Sequence, residues 1–316
     1  MPRFVTLTLN PAVDMSCSAD GVRPTHKVRT FEGRFDPGGG GVNVARVLHA
    51  LGGDVLAVVL TGGVTGRLIE ELLDEAGLRW QALAIAGRTR ISLNVYDRRA
   101  CVEYRFVPDG PSLQEAEWRR ALEPSHYAGA GWIVASGSLP PGVPTDFYAR
   151  LAAVAAACGA RFALDTSGEA LAAARGYGLD LLKLSLGELE FLSGASLPDG
   201  AAQDAAVRAL LSAGVAGTIA VSLGRDGALL ATREVITRQP TRAVEVGSAV
   251  GAGDAFLAGV VFALGERLPP DQALALGNAV GTAAVAHGGA ARLRRHHLAA
   301  DWAAVAAPPA ADSGRG

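Results

Sequence analysis

Six short apolar runs punctuate the chain, at residues 4–9, 55–60, 132–135, 162–164, 181–184 and 218–223, with alanine- and leucine-rich stretches of helical composition between them. The runs are short and apolar almost throughout, which predicts strands covered on both faces. Strands alternating with helices predict an α/β fold, with a mostly parallel sheet between helical layers. Two segments break the rhythm, residues 22–35 and 89–107. In the second, TRISLNVYD and ACVEYRFV flank Arg98 and Arg99 and predict an antiparallel hairpin with mixed faces. Strands inserted this way into an α/β body suit a lid or a dimer surface.

With 316 residues, 49% of them apolar and 19% charged, the chain can bury a large core and lies outside the composition of disordered or collagen-like segments. Its 29 basic and 31 acidic side chains leave a formal charge of -2. No overall positive field therefore exists to hold a nucleic acid or an acidic membrane. No apolar stretch reaches the ~18 residues of a membrane span, and the opening MPRFVTLTLNP lacks the basic and apolar regions of a signal peptide. Cys17, Cys101 and Cys158 lie far apart with no CxxC pair, against a zinc site or a disulfide framework. A soluble cytoplasmic protein with small-molecule partners is expected. One domain is expected over residues 1–303, followed by a flexible tail over residues 304–316, where the chain is small, Pro-rich and polar at its end.

Two details point to chemistry. Only Lys27 and Lys183 are lysine among the 29 basic residues. Chance explains two survivors, and so does a need for flexible ammonium charges around phosphate oxygens. Glycine supplies the second detail. Gly38-Gly39-Gly40-Gly41 leads into an apolar periodic segment, where glycines admit a ligand close to the backbone and free amides favour anionic or hydroxylated groups. A dinucleotide fingerprint does not fit, because its last glycine would fall on Asn43 or Val44. VGAGDAF at residues 250–256 sets the amides of Gly251, Ala252 and Gly253 and the carboxylate of Asp254 at the start of another apolar run. Such amides form an anion-binding nest, and an acid beside them can deprotonate a hydroxyl. An ordinary N-cap aspartate accounts for the same residue more simply. No Gly-Lys pair occurs, so the chain has no P-loop motif.

PGGGGVNVAR (residues 37–46) and VGAGDAFLAG (250–259) resemble the two signatures of the PfkB branch of the ribokinase-like sugar kinases. SGSLPPGV (136–143), DTSGEAL (165–171) and VSLGRDGAL (221–229) follow the same family in order, so the resemblance reaches to about residue 293. TLTLNPAVD, the fourth glycine at Gly41 and EYRFVPDGPSL (103–113) most resemble the ATP-dependent 6-phosphofructokinases of that branch. The resemblance implies a ribokinase-like three-layer α/β/α sandwich. A small β-strand lid, from residues 14–35 and 88–108 or thereabouts, would pair in a homodimer. The implied reaction is phosphorylation of fructose 6-phosphate at its C1 hydroxyl by ATP with Mg2+, in glycolysis. On this resemblance Asp254 is the general base, and Gly251, Ala252 and Gly253 form the anion hole. Asp14, Gly39 and Asn43 match sugar contacts, while Lys27, Arg90 and Arg105 match the grip on the 6-phosphate. Lys183 matches the lysine near the nucleotide phosphates, and Glu188 the glutamate that acts on Mg2+ through water. Ser222 and Gly224 would line the nucleotide site, with Asn278 and Thr282 near adenine. Ser248, Val250, Ala284, His287 and Gly289 match a K+ site beside the anion hole.

Two positions depart from the family pattern. Residues 183–188 read Lys-Leu-Ser-Leu-Gly-Glu where Lys-Pro-Asn-x-x-Glu is usual, so Ser185 brings a hydroxyl to the nucleotide site in place of an amide. Ala249 stands where a threonine is common. Ser185-x-x-Glu188 is also a capping box, which explains Glu188 by helix stability alone. 1-Phosphofructokinase and tagatose-6-phosphate kinase share the chemistry and stand as alternatives. A non-catalytic sugar-phosphate-binding regulator is the alternative of another class, supported by the altered 183–188 segment.

Overall fold

The computed structural model describes residues 3–245 and 247–306. In chain order the strands are β1 (Arg3–Thr8), β2 (Ala12–Ala19), β3 (Thr30–Gly38), β4 (Asp54–Thr61), β5 (Trp80–Ala84), β6 (Arg90–Asp97) and β7 (Val102–Phe106). They continue as β8 (Trp132–Ser136), β9 (Arg161–Asp165), β10 (Leu179–Ser185), β11 (Ala216–Ser222), β12 (Ala228–Ala231) and β13 (Ile236–Gln239). Among the described residues they form two sheets, one of nine strands in the order β13-β12-β11-β10-β9-β8-β1-β4-β5 and one of four in the order β3-β2-β6-β7. From β5 to β11 every pairing in the large sheet is parallel, and β12 and β13 close its far edge antiparallel.

The six apolar runs are β1, β4, β8, β9, β10 and β11. Their side chains divide by parity between two cores. Ile133 and Ala135 of β8, Phe162 and Leu164 of β9, and Leu182 and Leu184 of β10 face one core, with Phe147, Leu151, Leu189 and Leu210 from the helices Phe147–Ala157, Leu186–Ser193 and Gly200–Ser212. Trp132 and Val134, Ala163, and Leu181 face the other. There they meet Val44, Leu48, Phe256, Val260 and Leu274 of the helices Gly40–Ala50, Ala252–Gly265 and Pro270–Ala286. Since side chains alternate along a strand, the same parity carries Thr8, Ser136, Asp165, Lys183 and Ser222 onto this second face, at the C-terminal ends of their strands.

The order of strands reverses at β1: the chain first builds outward through β4 and β5, then resumes on the other flank with β8. Open α/β sheets leave a ligand crevice at such a switch point, outside the carboxyl ends of the strands. Ser136 ends β8 there, and the turn into the helix Gly40–Ala50 lies beside it.

The small sheet joins β2 to β6 in parallel, with β3 and β7 antiparallel on the outside. Its register lines up Asp36, Asp14 and Ser92, and next to them Arg34, Ser16, Asn94 and Arg105, as one polar face. The other face exposes Phe35, Ile91, Val102, Tyr104 and Phe106. Val13 anchors the sheet to Ile69 and Leu72 of the helix Gly63–Glu75.

The last helix, Arg295–Ala306, runs past the boundary expected at residue 303. Trp302 packs edge-on against Phe262 with centroids 5.1 Å apart, and Val305 adds to the same core, so helix continues where composition alone suggested a tail. Residues 307–316 of the expected tail lie outside the described residues.

Candidate active site

The helix Ala252–Gly265 opens on Gly251, whose φ of 72° is left-handed and whose missing Cβ would lie 2.7 Å from Ala290 Cβ. Only glycine meets both demands. The amide of Ala252 donates to Ala249 O at 3.2 Å, so it is not free as the sequence motif suggested. The amides of Gly251, Gly253 and Asp254 have no acceptor among the described residues. They leave the positive end of a 14-residue helix open to an anion.

Asp254, in that first turn, is held at both carboxylate oxygens. Asn43 Nδ2 donates to Oδ2 at 2.9 Å and Ser136 Oγ donates to Oδ1 at 2.9 Å. The first donor comes from the helix after the glycine run, the second from the end of β8. Gly40 makes the second contact possible, because a Cβ there would stand 2.2 Å from Ser136 Oγ. Burial raises the Asp254 carboxyl above its ordinary pKa, opposed by the Asn43 and Ser136 hydrogen bonds and by Lys183. A carboxylate so placed is oriented, half-buried and more basic than a free aspartate.

Lys183, on β10, reaches Asp165 at the end of β9, with Nζ 3.2 Å from Oδ1 and 3.1 Å from Oδ2. The same Nζ lies 3.0 Å from where a Cβ on Gly253 would be. Burial alone would lower the Lys183 ammonium, but Asp165, Glu188 and Asp254 together hold it above its ordinary pKa. Burial pushes Asp165 up to about 6 against the pull of Lys183, with Asp254 and Glu188 adding to the rise. The positive charge is therefore secure beside the open amides. The capping box at the head of the helix Leu186–Ser193 also forms: Ser185 N donates to Glu188 Oε2 at 2.6 Å, and Glu188 N donates to Ser185 Oγ at 3.3 Å.

Two cavities flank this turn. One, of about 520 Å³, is lined by Ser222, Gly224, Ala252, Gly253, Asn278 and Thr282, with Phe256, Val244 and Val285 supplying apolar wall. It brings together the four residues matched to nucleotide lining. The Asn278 amide is already engaged, donating to Pro240 O at 2.8 Å and accepting from Thr241 Oγ at 3.2 Å, so it fastens the segment that borders the cavity.

The other cavity, of about 440 Å³, lies under the small sheet and is lined by Asp14, Asn43, Arg34, Glu103, Ser248 and Val250, among others. Gly38 makes room for Asp14, since a Cβ there would fall 2.0 Å from Asp14 Oδ2. Gly39, with φ of 109°, passes within 2.7 Å of Thr8 Cγ2 on the same measure. Burial pushes the Asp14 carboxyl up to about 6 despite Arg105 and Arg90 nearby. Arg90 donates to Pro108 O at 2.7 Å and to Asn10 O at 2.9 Å. Asp14, Arg90 and Arg105 thus converge, whereas Lys27 stands exposed between β2 and β3 with no hydrogen bond or ion pair among the described residues.

The segments matched to a K+ site are adjacent. Val250 O accepts from Ala290 N at 3.1 Å, Ala284 O accepts from Gly289 N at 2.8 Å, and Ser248 N donates to Val285 O at 3.3 Å. The His287 ring turns to stack on His297, with centroids 4.0 Å apart.

Sequence reasoning assigned no role to Ser136, Asp165 or Ser138. Ser138 Oγ accepts from Asn10 Nδ2 at 3.3 Å and lines a further cavity with Arg90. The available signal was position: Ser136 and Asp165 each end a buried parallel strand, where ligands of such sheets bind.

A half-buried, oriented carboxylate, open helix amides and a fixed ammonium beside two cavities suit phosphoryl transfer. Comparison with known proteins agrees. Residues 8–295 match the model of the pfkB family carbohydrate kinases. The chain is 43% identical over 296 residues to ATP-dependent 6-phosphofructokinase isozyme 2 of Mycobacterium tuberculosis, covering 93% of this chain and 87% of that one. It is 38% identical over 269 residues to the 1-phosphofructokinase of Xanthomonas campestris, covering 82% and 83%. Among solved structures, Escherichia coli phosphofructokinase-2 in complex with potassium superposes with a TM-score of 0.91 at 33% identity, over 97% of this chain and 100% of that one. The chain belongs to the pfkB family of carbohydrate kinases and has its ribokinase-like fold.

Proposed function

We propose that this carbohydrate kinase transfers the γ-phosphoryl group of ATP to the C1 hydroxyl of fructose 6-phosphate, as a cytoplasmic 6-phosphofructokinase in glycolysis. The observation that carries the reading is Asp254, held at both oxygens by Asn43 and Ser136 between the two cavities. ATP occupies the cavity of Ser222 and Gly224, with its base against Phe256 and Val285. The sugar phosphate lies under the lid, where Asp14 receives sugar hydroxyls and Arg90 and Arg105 meet the phosphate. Asp254 takes the proton of the attacking hydroxyl. The amides of Gly251 and Gly253 and the Lys183 ammonium stabilise charge on the transferring group.

The Glu188 carboxylate, with one oxygen in the capping box and one to spare, suits a hard divalent cation, so Glu188 would hold Mg2+ through water, while both Asp165 oxygens stay engaged with Lys183. Bound there, Mg2+ would neutralise phosphate charge. Val250, Ala284 and Gly289 each offer a carbonyl with a lone pair to spare, which suits K+. The E. coli relative crystallised with potassium supports that assignment.

Identity of 43% to an ATP-dependent 6-phosphofructokinase supports fructose 6-phosphate, as does a TM-score of 0.89 to E. coli phosphofructokinase-2 in complex with fructose 6-phosphate. The second reading, 1-phosphofructokinase, is favoured by the 38% identical Xanthomonas relative. Side-by-side turnover of fructose 6-phosphate, fructose 1-phosphate and tagatose 6-phosphate tests the choice. A higher kcat/KM for either rival would overturn it. We further propose that two copies pair through the apolar outer face of the lid.

A further inference from the structure

β7 is the edge strand of the small sheet. It pairs with β6 alone, and all five of its residues are exposed. A strand with so little burial is held weakly. Among the described residues, its side chains hydrogen-bond to the rest of the molecule at one place: Ser248 Oγ lies 3.3 Å from both carboxylate oxygens of Glu103. A carboxylate gripped by the body therefore has leverage over where the strand sits.

Both ends of this contact lead toward the site. Glu103 and Arg105 alternate with Val102, Tyr104 and Phe106, so they share the polar face. Of the neighbouring positive charges, Arg105 acts most strongly on Asp14, ahead of Arg90. On the body side, Ser248 Oγ also accepts from Val250 N at 3.3 Å, one residue before the Gly251 cap. A single hydroxyl thus joins the lid carboxylate to the turn that opens the anion hole.

We propose that Glu103 is a positioning residue: by accepting from Ser248 it seats β7 over the sugar cavity, presents Arg105 toward Asp14, and ties the lid to the turn at residues 248–251. As an anion, Glu103 would repel a sugar phosphate on direct contact, so its effect is exerted through Arg105. This role rests on the sugar-phosphate kinase reading and deepens it.

The test compares wild type with Glu103→Ala, Glu103→Gln, Ser248→Ala and the Glu103→Ala/Ser248→Ala pair. Binding of fructose 6-phosphate is followed by calorimetry, and KM and kcat by steady-state turnover. Glu103→Ala is expected to weaken binding and raise KM by about threefold to tenfold, the range of one hydrogen bond to a charged group discounted for exposure. The change in kcat is expected to be smaller. Glu103→Gln, which keeps an acceptor oxygen, recovers part of the loss. The double variant is expected to bind no worse than the weaker single, because the two side chains act as one contact. Unchanged affinity in Glu103→Ala, or losses that add in the double variant, overturn the proposal. Wild type that neither binds nor phosphorylates the sugar phosphate defeats the kinase reading and this proposal with it. Wild type that does both, with Glu103 variants that match it, defeats the proposal alone.

Discussion

Lys183 and Asp165 leave neighbouring parallel strands on the same face and meet at 3.1 Å beside the amide end of the helix Ala252–Gly265. The lysine is 7% exposed and the aspartate 9%, so each is the other's main compensation for leaving water. Removing one partner strands the other. Lys183→Met is expected to lower unfolding free energy by about 3–5 kcal/mol, the usual cost of an uncompensated buried charge, measured by urea titration. Lys183→Arg should keep the charge and still lose activity, because a planar fork does not replace an ammonium between a carboxylate and a glycine backbone. Wild-type kcat in Lys183→Arg would show that position 183 supplies charge alone.

Asp254→Asn removes the proposed base and leaves an amide that Asn43 and Ser136 can still orient. Turnover is expected to fall by ~10² to 10⁴, the typical contribution of a general base, with fructose 6-phosphate affinity largely retained by calorimetry. Undiminished turnover would exclude Asp254 as proton acceptor.

Burial pushes the Asp14 carboxyl up to about 6 from 3.8, and in the proposed sugar-binding role it accepts hydroxyl hydrogens at both oxygens only when ionised. Affinity for the sugar phosphate is expected to drop as pH falls through about 6. The phosphomonoester itself titrates nearby, so the readout is the difference between wild type and Asp14→Asn, whose pH dependence should be shallower. Stability runs the other way. A carboxyl whose folded pKa is raised contributes fully below about 3.8 and loses that contribution as pH rises to about 6.

Gly40→Ala places a methyl group 2.2 Å from Ser136 Oγ and 2.8 Å from the Ser136 carbonyl carbon. Something must move, and the movable part is the hydroxyl that orients Asp254. A loss of about 1–3 kcal/mol from overpacking is expected, together with a lower kcat. Normal kcat in a destabilised Gly40→Ala would separate the glycine's packing role from the orientation of the base.

The outer lid face exposes Phe106 at 55% and Phe35 at 45%, with Ile91, Val102 and Tyr104 beside them. Apolar side chains clustered on one sheet face mark an interaction surface. Phe106→Asp is expected to shift a sedimenting dimer toward monomer. A species of the same mass in wild type and variant would rule that face out.

Besides the hairpin of β6 and β7, the strands legible in the sequence were those covered on both faces, because continuous apolar runs need no context to be seen. β5 was not, since WQALA is only half-covered, and β12 and β13, at the far end of the sheet, are four-residue strands with too few positions to show a period. The site divides in the same way. Gly38 to Gly41 and Gly251 are conspicuous because their missing side chains create the space. Ser136 and Asp165 are ordinary in sequence, and reach the crevice only through parity and the order in which β8, β9 and β10 lie side by side.

The contacts that orient Asp254 span 211 and 118 positions of chain. Its partners lie in the first half of the chain, while Asp254 itself lies in the last quarter of the polypeptide. A chain cut before the helix Ala252–Gly265 would lose the carboxylate together with two helices that cover one face of the sheet, so it would lack the cleft and that core alike. Activity and core packing are therefore expected to return together after unfolding, because the helix that carries Asp254 is itself part of the core.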